Sequence, residues 1–355
     1  MGKNFLFLVW CVGAVYASEL PPQVHLSEQE WNECKQFIQT EGERLFSQGV
    51  NHISPGEGHP YLIQHDPQTG RTYVHLSERK DAVIGVGGFK RVTQSLLYGE
   101  RPELVAQCQG WKSLAPEAEV LSKLENSPGV VHMQSFLHYP DGGDAVILEY
   151  YDAGSLATPK KKAPKFSERQ LVSFFSDLMT GLKNLHDAGY IHRDLHRGNI
   201  LFRRVQGELR AALTDFGLAL RIDEEPHAGI SVQVAATAPE VLLKGNGAVD
   251  RRRAESYALG TLLYYMMFRE RPSWYDQPRL CRSKKRGAIG KNEAYRRILK
   301  QYSKTLSHVR SLSGVKKELG LLVMQTLNPH PRKRIYLDVA LRRLHVLAGR
   351  HGFRL

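Results

Sequence analysis

The stretch at residues 191–199, Ile-His-Arg-Asp-Leu-His-Arg-Gly-Asn, decides the fold of this 355-residue chain. It follows a helix-like segment and precedes a short apolar run at residues 200–202. Asp215-Phe216-Gly217 comes sixteen residues after Asn199. A carboxylate, an amide and a second carboxylate on loops near strand ends are what phosphoryl transfer requires. One carboxylate accepts the proton of an attacking hydroxyl, while the amide and the other carboxylate hold Mg²⁺ on a triphosphate.

These two motifs, in this order and at this spacing, resemble those of the protein kinase family. The resemblance covers about residues 80–350. It implies an α+β, two-lobed fold, in which a small β-rich amino-terminal lobe (80–150) lies over a larger α-helical carboxy-terminal lobe (151–350). It also implies that ATP binds between the lobes with Mg²⁺, or with Mn²⁺ as the alternative metal.

The resemblance gives three side chains a role. Asp194 is expected to be the catalytic base, and Asn199 and Asp215 are expected to be the metal ligands, with Asn199 also counted as catalytic. An isolated Asp or Asn is explained as readily by a role in forming a turn as by a catalytic role. The three residues together, in this order, favour the catalytic interpretation.

The segment at residues 82–92, Ala-Val-Ile-Gly-Val-Gly-Gly-Phe-Lys-Arg-Val, predicts a strand, a glycine turn and a second strand. Glycines allow backbone N–H groups to approach phosphate oxygens closely. A tight hairpin would also explain these glycines, but their position about a hundred residues before the catalytic stretch favours nucleotide binding. The third glycine of the family pattern would follow Phe89, where this chain has Lys90.

The lysine that the family places on the next strand is missing. The family's Val-Ala-x-Lys is matched here by residues 105–108, Val-Ala-Gln-Cys. In one interpretation the chain is a pseudokinase that has lost a phosphate anchor. In the other, Lys90 on the neighbouring strand reaches into the same cleft through its four-carbon stem and is a catalytic residue. This second arrangement resembles the with-no-lysine kinases, whereas a solvent-exposed loop lysine would have no such role.

A short helix at residues 116–124 is expected to carry the glutamate that pairs with this lysine. Glu117 fits the family's Glu-x-x-x-Leu-x-x-Leu frame best, and its competitor Glu119 lies about 160° away around the helix. Further along, an apolar strand at residues 145–151 leads to a hinge whose backbone would bind adenine. The nucleotide-binding residues implied by the resemblance are Ile84, Gly85, Val86, Gly87, Gly88, Phe89, Lys90, Val92, Ala106, Cys108, Glu117, Leu148, Glu149 and Tyr151.

Residues 238–240, Ala-Pro-Glu, favour a protein substrate over a small molecule. In protein kinases this block ends the segment that supports the peptide, and its glutamate, here Glu240, pairs with a distant arginine, for which Arg334 is the candidate. Asp-Leu-His-x-Gly-Asn also resembles small-molecule phosphotransferases of kinase-like fold, which generally lack the block. His196 and Gln233 replace the lysine and threonine usual in serine/threonine kinases, so Tyr specificity stays open although Ser/Thr is favoured.

The composition limits the classes of partner. The chain has 49 Lys and Arg against 36 Asp and Glu, a formal net charge of +13. This charge is explained by a solvated basic face or by attraction to acidic protein substrates or anionic surfaces. No basic motif with interleaved aromatic residues supports nucleic-acid binding. The four scattered cysteines show no spacing for a disulfide framework or zinc site, and no pattern indicates an oligomeric state.

The amino terminus resembles an export signal. Residues 1–17, with Lys3, an apolar run and a small-residue ending, are too short to span a membrane comfortably and predict a signal peptide. An exported kinase would need to act in a compartment that contains ATP. If the segment is instead an uncleaved amphiphilic tail, the protein is expected to be cytoplasmic.

Residues 18–79 predict an extension without catalytic chemistry. Ser27 followed by acidic residues predicts a helix that continues to about Ser47. Two apolar segments on either side of residues 66–70, Asp-Pro-Gln-Thr-Gly, predict a hairpin.

These patterns predict an active protein kinase that transfers the γ-phosphoryl group of ATP to Ser or Thr hydroxyls of protein substrates. Two alternatives remain at this point: a pseudokinase scaffold that binds nucleotide or partners, and a small-molecule phosphotransferase of kinase-like fold.

Overall fold

The structure is a computed structural model. It describes residues 23–56, 59–87, 90–139, 142–158, 165–224, 238–244, 249–277 and 290–355. The predicted signal peptide (1–17), the predicted nucleotide-binding residues Gly88 and Phe89, and Gln233 of the substrate segment all lie outside the described residues.

The extension begins with a capped helix. The Ser27 side chain accepts the backbone N–H of Glu30, and the Glu30 carboxylate accepts the backbone N–H of Ser27. This reciprocal pair, a capping box, starts α1 (Glu28–Phe37). A π-helical turn joins α1 to α2 (Glu43–Ser47), so the predicted helix from Ser27 to about Ser47 is confirmed.

Eight strands of the described residues form one antiparallel sheet that includes the extension. They are β1 (His52–Ile53), β2 (Leu62–Asp66), β3 (Arg71–His75), β4 (Val83–Val86), β5 (Lys90–Leu97), β6 (Glu103–Gly110), β7 (Met133–His138) and β8 (Asp144–Glu149). The order is β1-β2-β3-β5-β6-β8-β7, and β4 also pairs with β5. The predicted hairpin is β2–β3, and because β3 pairs with β5, the sheet crosses the predicted boundary at residues 79 and 80.

The sheet curls until the extension contacts β7 at the opposite edge. Gln64 Nε2 donates to the carbonyl of His138 at 3.3 Å, and the hydroxyls of Tyr73 and Ser135 are 2.8 Å apart. The face that points away from the cleft is therefore enclosed. Its buried apolar side chains are Tyr73, Val105, Leu137, Tyr139, Ala145 and Ile147.

A buried polar network lies within this curl. His75 Nδ1 and Ser95 Oγ both donate to Gln107 Oε1, at 2.6 and 2.8 Å, and Gln107 Nε2 donates to the Tyr139 hydroxyl. Burial lowers the pKa of His75 from 6.5 to about 4, so this imidazole is neutral at physiological pH.

Beyond the sheet, the chain is mostly helical. After α3 (Ala115–Lys123) of the first lobe come α4 (Glu168–Asp187), β9 (Tyr190–Ile191), β10 (Ile200–Val205), β11 (Glu208–Leu213), β12 (Leu220–Arg221), α5 (Pro239–Lys244), α6 (Arg251–Phe268), α7 (Lys291–Ser311), α8 (Gly314–Thr326) and α9 (Leu337–Arg350). The short pairs β9–β12 and β10–β11 position the loops of the cleft. The predicted α+β, two-lobed fold is confirmed. No helix of the described residues is long and apolar enough to cross a membrane.

His75 is predicted to make stability depend on pH. The unfolded chain takes up a proton on His75 near pH 6.5, but the folded chain does so only near pH 4. The free energy of unfolding should therefore be greatest above pH 6.5 and fall as the pH drops towards 4. The expected slope is about 1.4 kcal/mol per pH unit, or about 3 kcal/mol in all.

Urea unfolding of wild type and His75→Gln at a series of pH values measures this slope. His75→Gln should flatten the pH dependence, whatever its effect on absolute stability. His308→Gln, which alters an exposed histidine of α7, should leave it unchanged. Equal slopes for wild type and His75→Gln would show that His75 does not charge on unfolding.

Candidate active site

Glu255 on α6 fixes the backbone of the loop that carries Asp194. Its carboxylate accepts the backbone N–H groups of His192 and Arg193, at 3.0 and 2.5 Å, and contacts His186 Nε2 at 3.0 Å. Burial alone would raise the pKa of Glu255, but the hydrogen bonds from His186 and the loop lower it below its usual value. An ionised carboxylate therefore anchors the loop. His186 could not be recognised as a functional residue from the sequence, because it lies among the apolar residues of α4.

The predicted base and one predicted metal ligand lie together. Asn199 Nδ2 donates to the backbone carbonyl of Asp194 at 2.9 Å and lies 3.5 Å from Asp194 Oδ2. Asn199 Oδ1 is buried and has no hydrogen-bond partner among the described residues. Amide and carboxylate oxygens are the ligands that Mg²⁺ prefers, and Mn²⁺ accepts the same oxygens. The residues present, Asn199 and Asp215, therefore fit the predicted metal.

His196 is held beside the predicted base. Its Nδ1 accepts the backbone N–H of Gly198 at 2.9 Å, so the proton of the neutral ring is on Nε2, which lies 3.5 Å from Asp194 Oδ2. A Cβ at residue 198 would lie 2.8 Å from the His196 ring. The turn therefore needs a glycine after Arg197 to keep the imidazole in this orientation.

Lys90 lies between the two carboxylates that the cleft requires. Its Nζ is 2.7 and 2.9 Å from the two carboxylate oxygens of Glu117 and 2.9 Å from Asp215 Oδ1. Lys90 is 6% exposed and Glu117 is 2% exposed, so solvent hardly screens these contacts. One ammonium group thus connects β5, α3 and the loop that follows β11.

The charged groups of this cluster shift one another's pKa values. Burial alone would lower the pKa of Lys90, but Asp215 and Glu117 raise it well above its usual value. Burial alone would raise the pKa of Asp215, but the charge of Lys90 and its hydrogen bond lower it. For Glu117, burial raises the pKa and Lys90 opposes the rise only in part. Lys90 is therefore cationic and Asp215 anionic in the folded protein.

Cys108 supplies no charge to this cluster. Cys108 lies opposite Val92 in the β5–β6 pairing, whereas Lys90 lies opposite Gly110. Burial raises the pKa of the Cys108 thiol to about 12, so it stays protonated. The cation of the cleft comes from β5 and not from β6.

The orientation of α3 separates the two candidate glutamates. Glu117 is buried and faces Lys90, whereas Glu119 is exposed and pairs with Lys123 at 3.0 Å. The backbone N–H of Phe216 also hydrogen-bonds to Glu117, and the buried Phe216 ring lies 5.0 Å from the His192 ring. The loop of Asp215 is thereby held against both α3 and the catalytic loop.

Several of the predicted nucleotide-binding residues belong to the buried apolar core of the protein. The buried apolar cluster includes Ile84, Val92, Ala106, Cys108, Leu148 and Tyr151. Gly85 and the exposed Val86 lie at the end of β4, and the backbone N–H of Gly87 donates to the carbonyl of Lys90 at 2.8 Å. At the hinge, the backbone N–H of Glu149 donates to the His132 carbonyl at 3.0 Å.

The comparison with protein families identifies this arrangement. The family model of the protein kinase domain matches residues 101–345. The chain belongs to the protein kinase family. The match begins after β5, so it does not include the glycine-rich segment or Lys90.

Known relatives agree with this assignment to the kinase family. The chain is 28% identical over 187 residues to serine/threonine-protein kinase PEPKR2 of Arabidopsis thaliana, covering 52% of this chain and 38% of the relative. It is 28% identical over 221 residues to serine/threonine-protein kinase PLK2 of Mus musculus, covering 58% of this chain and 30% of the relative. It is 30% identical over 167 residues to ephrin type-A receptor 5 of Gallus gallus, covering 44% of this chain and 16% of the relative. The chain thus spans less than two fifths of the length of each of these relatives.

The kinase domain also contains the predicted buried pair at the end of the substrate segment. Arg334 Nη1 and Nη2 donate to the two carboxylate oxygens of Glu240, at 2.6 and 2.9 Å. Arg334 also donates to the backbone carbonyls of Asn328 and Arg253. A bidentate, buried pair of this kind fixes the start of α5 to the helical lobe.

Proposed function

We propose that this protein is an active kinase that transfers the γ-phosphoryl group of ATP to Ser or Thr hydroxyls of protein substrates. The observation that carries the proposal is the position of Lys90 Nζ, 2.7 Å from Glu117 and 2.9 Å from Asp215. A lysine on β5 thereby supplies the cation that the family usually takes from β6. In a pseudokinase that had lost its phosphate anchor, no such cation would be expected between these two carboxylates.

Each side chain of the site has a different role in the proposed reaction. Asp194 accepts the proton of the attacking hydroxyl, a contribution of typically about 10²–10⁴-fold. Lys90 orients the triphosphate through a charge-assisted contact to its oxygens. Asn199 Oδ1 and the Asp215 carboxylate would hold Mg²⁺, which supplies positive charge against the phosphate oxygens. Glu117 keeps the Lys90 ammonium in place.

A protein is the favoured substrate class. The buried Glu240–Arg334 pair supports a segment that, in the family, holds a peptide beside the base. Two of the relatives are named serine/threonine-protein kinases, which supports the Ser/Thr preference. Peptides that differ only in Ser, Thr or Tyr at the acceptor position, assayed with labelled ATP, test this preference. Faster labelling of the Tyr peptide would overturn it.

Replacement of Lys90 is predicted to abolish catalysis. Lys90→Met leaves two buried carboxylates without their cation and should lower kcat/KM by at least about 10³-fold. It should also destabilise the lobe by about 3–5 kcal/mol. Cys108→Ala removes an uncharged thiol and should retain most of the activity. Both variants are compared in labelled-ATP assays, with folding checked by circular dichroism.

A double variant separates lost catalysis from lost folding. In Lys90→Met/Cys108→Lys the cation returns to β6, beside the same carboxylates, and should restore part of both activity and stability. Asp194→Ala, which leaves the Lys90 cluster intact, should be inactive but fully folded. Full activity of a folded Lys90→Met protein would refute the proposed role of Lys90.

A further inference from the structure

Three side chains beside the catalytic loop form a cationic cluster that the phosphoryl-transfer machinery does not use. The guanidinium carbons of Arg197 and Arg269 lie 4.5 and 5.6 Å from the centre of the Tyr265 ring. The guanidinium of Arg269 also lies 5.8 Å from the Phe166 ring. Two positive charges therefore share one aromatic ring.

The backbone fixes this cluster close to Asp194. Arg197 begins the 3₁₀ turn that ends at Asn199 and follows Asp194 by three residues. Arg269 is the C-cap of α6, has a φ of 58°, and donates its backbone N–H to the Tyr265 carbonyl at 2.8 Å. The left-handed backbone at this position ends α6 and fixes the direction in which the chain carries Arg269 away from the helix.

The cluster has unused hydrogen-bonding groups. The Tyr265 hydroxyl and Arg269 Nη2 are buried, and neither has a hydrogen-bond partner among the described residues. No carboxylate of the described residues lies at ion-pair distance from Arg197 or Arg269, whereas Arg210, Arg334 and Arg350 each pair with one. A buried donor without a partner is unfavourable, because it has lost its hydrogen bonds to water. A ligand oxygen would remove this cost.

An oxyanion is the ligand that matches these donors. Guanidinium groups bind carboxylate and phosphate oxygens through directed N–H groups, and a tyrosine hydroxyl adds a further donor. A cationic ligand would be repelled by both arginines, and a neutral apolar group would leave the donors unpaired. The formal net charge of +13 also favours the approach of acidic molecules to the protein as a whole.

We propose that Arg197, Tyr265 and Arg269 form a specificity subsite that binds a carboxylate or phosphate on the protein substrate, near the acceptor residue. This inference rests on the proposed kinase function. Three residues of backbone span at most about 10 Å, and an extended peptide advances about 3.3 Å per residue. The anionic side chain therefore lies within about four residues of the acceptor hydroxyl.

A peptide series tests the subsite in the full-length protein. Each peptide has one Ser acceptor and a single Glu, phosphoserine or Gln at one position within four residues on either side. At one position, Glu or phosphoserine should lower KM about tenfold relative to Gln, with little change in kcat. A larger effect of phosphoserine would identify a previously phosphorylated substrate, and a larger effect of Glu would identify an acidic one.

Substitutions assign this preference to the cluster. Arg269→Gln and Tyr265→Phe should each remove most of the tenfold preference while leaving kcat/KM for the Gln peptide unchanged. Arg269→Glu should shift the preference towards a Lys peptide. Arg271→Gln, which neutralises a nearby exposed arginine that stacks on Tyr275, is the matched control and should behave as wild type.

Binding measurements separate failure of the subsite from failure of the kinase. The dissociation constants of fluorescent Glu, phosphoserine and Gln peptides are measured by anisotropy, with folding of each variant checked by thermal unfolding. If no peptide is phosphorylated but the anionic peptides bind tightly and Arg269→Gln weakens them, the proposed activity is wrong and the subsite stands. If Gln, Glu and phosphoserine peptides bind and react equally, the subsite is refuted and the kinase function is unaffected.

Discussion

A single buried ammonium group holds the cleft together. Lys90 reaches Glu117 on α3 and Asp215 in the opposite lobe, so one cation links a strand, a helix and the loop that follows β11. Removing any of these charges from water is costly, and only the other charges of the cluster offset that cost. The position of α3 relative to the Asp215 loop therefore depends on Lys90. The same contact also helps to set the geometry between the lobes.

The position of Lys90 on β5 agrees with the geometry of the two paired strands. Lys90 lies opposite Gly110, and a side chain at residue 110 would come within 2.5 Å of the Lys112 carbonyl and 2.8 Å of Leu114. The backbone opposite Lys90 therefore stays without a side chain. Residue 90 begins β5, and it is not among the residues with positive φ, so lysine replaces the family's third glycine without backbone strain. A flexible four-carbon stem then covers the distance to α3.

The sequence predicted features that depend on local chemistry. The helix start at Ser27 and the continuation to about Ser47 follow from short-range rules. The family's Glu-x-x-x-Leu-x-x-Leu frame favoured Glu117 over Glu119, and Glu117 is the one that pairs with Lys90. Family spacing was sufficient to relate Glu240 to Arg334 across almost a hundred residues.

Features that depend on long-range packing could not be predicted. The hairpin β2–β3 is recognisable from its turn, but nothing local specifies that it joins β5 and then reaches β7. The predicted domain boundary between residues 79 and 80 therefore divides strands that belong to one sheet. His196 could be recognised as a substitution, but its orientation depends on the Gly198 N–H. Arg251 and Arg253 belong to a basic run that suggested a solvated face, yet both donate to backbone carbonyls of other segments.

The curled sheet also constrains the order in which the chain can fold. β2 pairs with β1 and β3, but its contact with β7, about seventy residues later, and the network around Gln107 can form only after residues 133–139 have been made. Contacts of such high sequence separation slow folding and leave strand edges exposed during synthesis. The extension is therefore expected to emerge from the ribosome before its long-range contacts can form. Until then it can be cleaved by proteases and bound by chaperones. Protection would come only when the strand at residues 133–138 has been made.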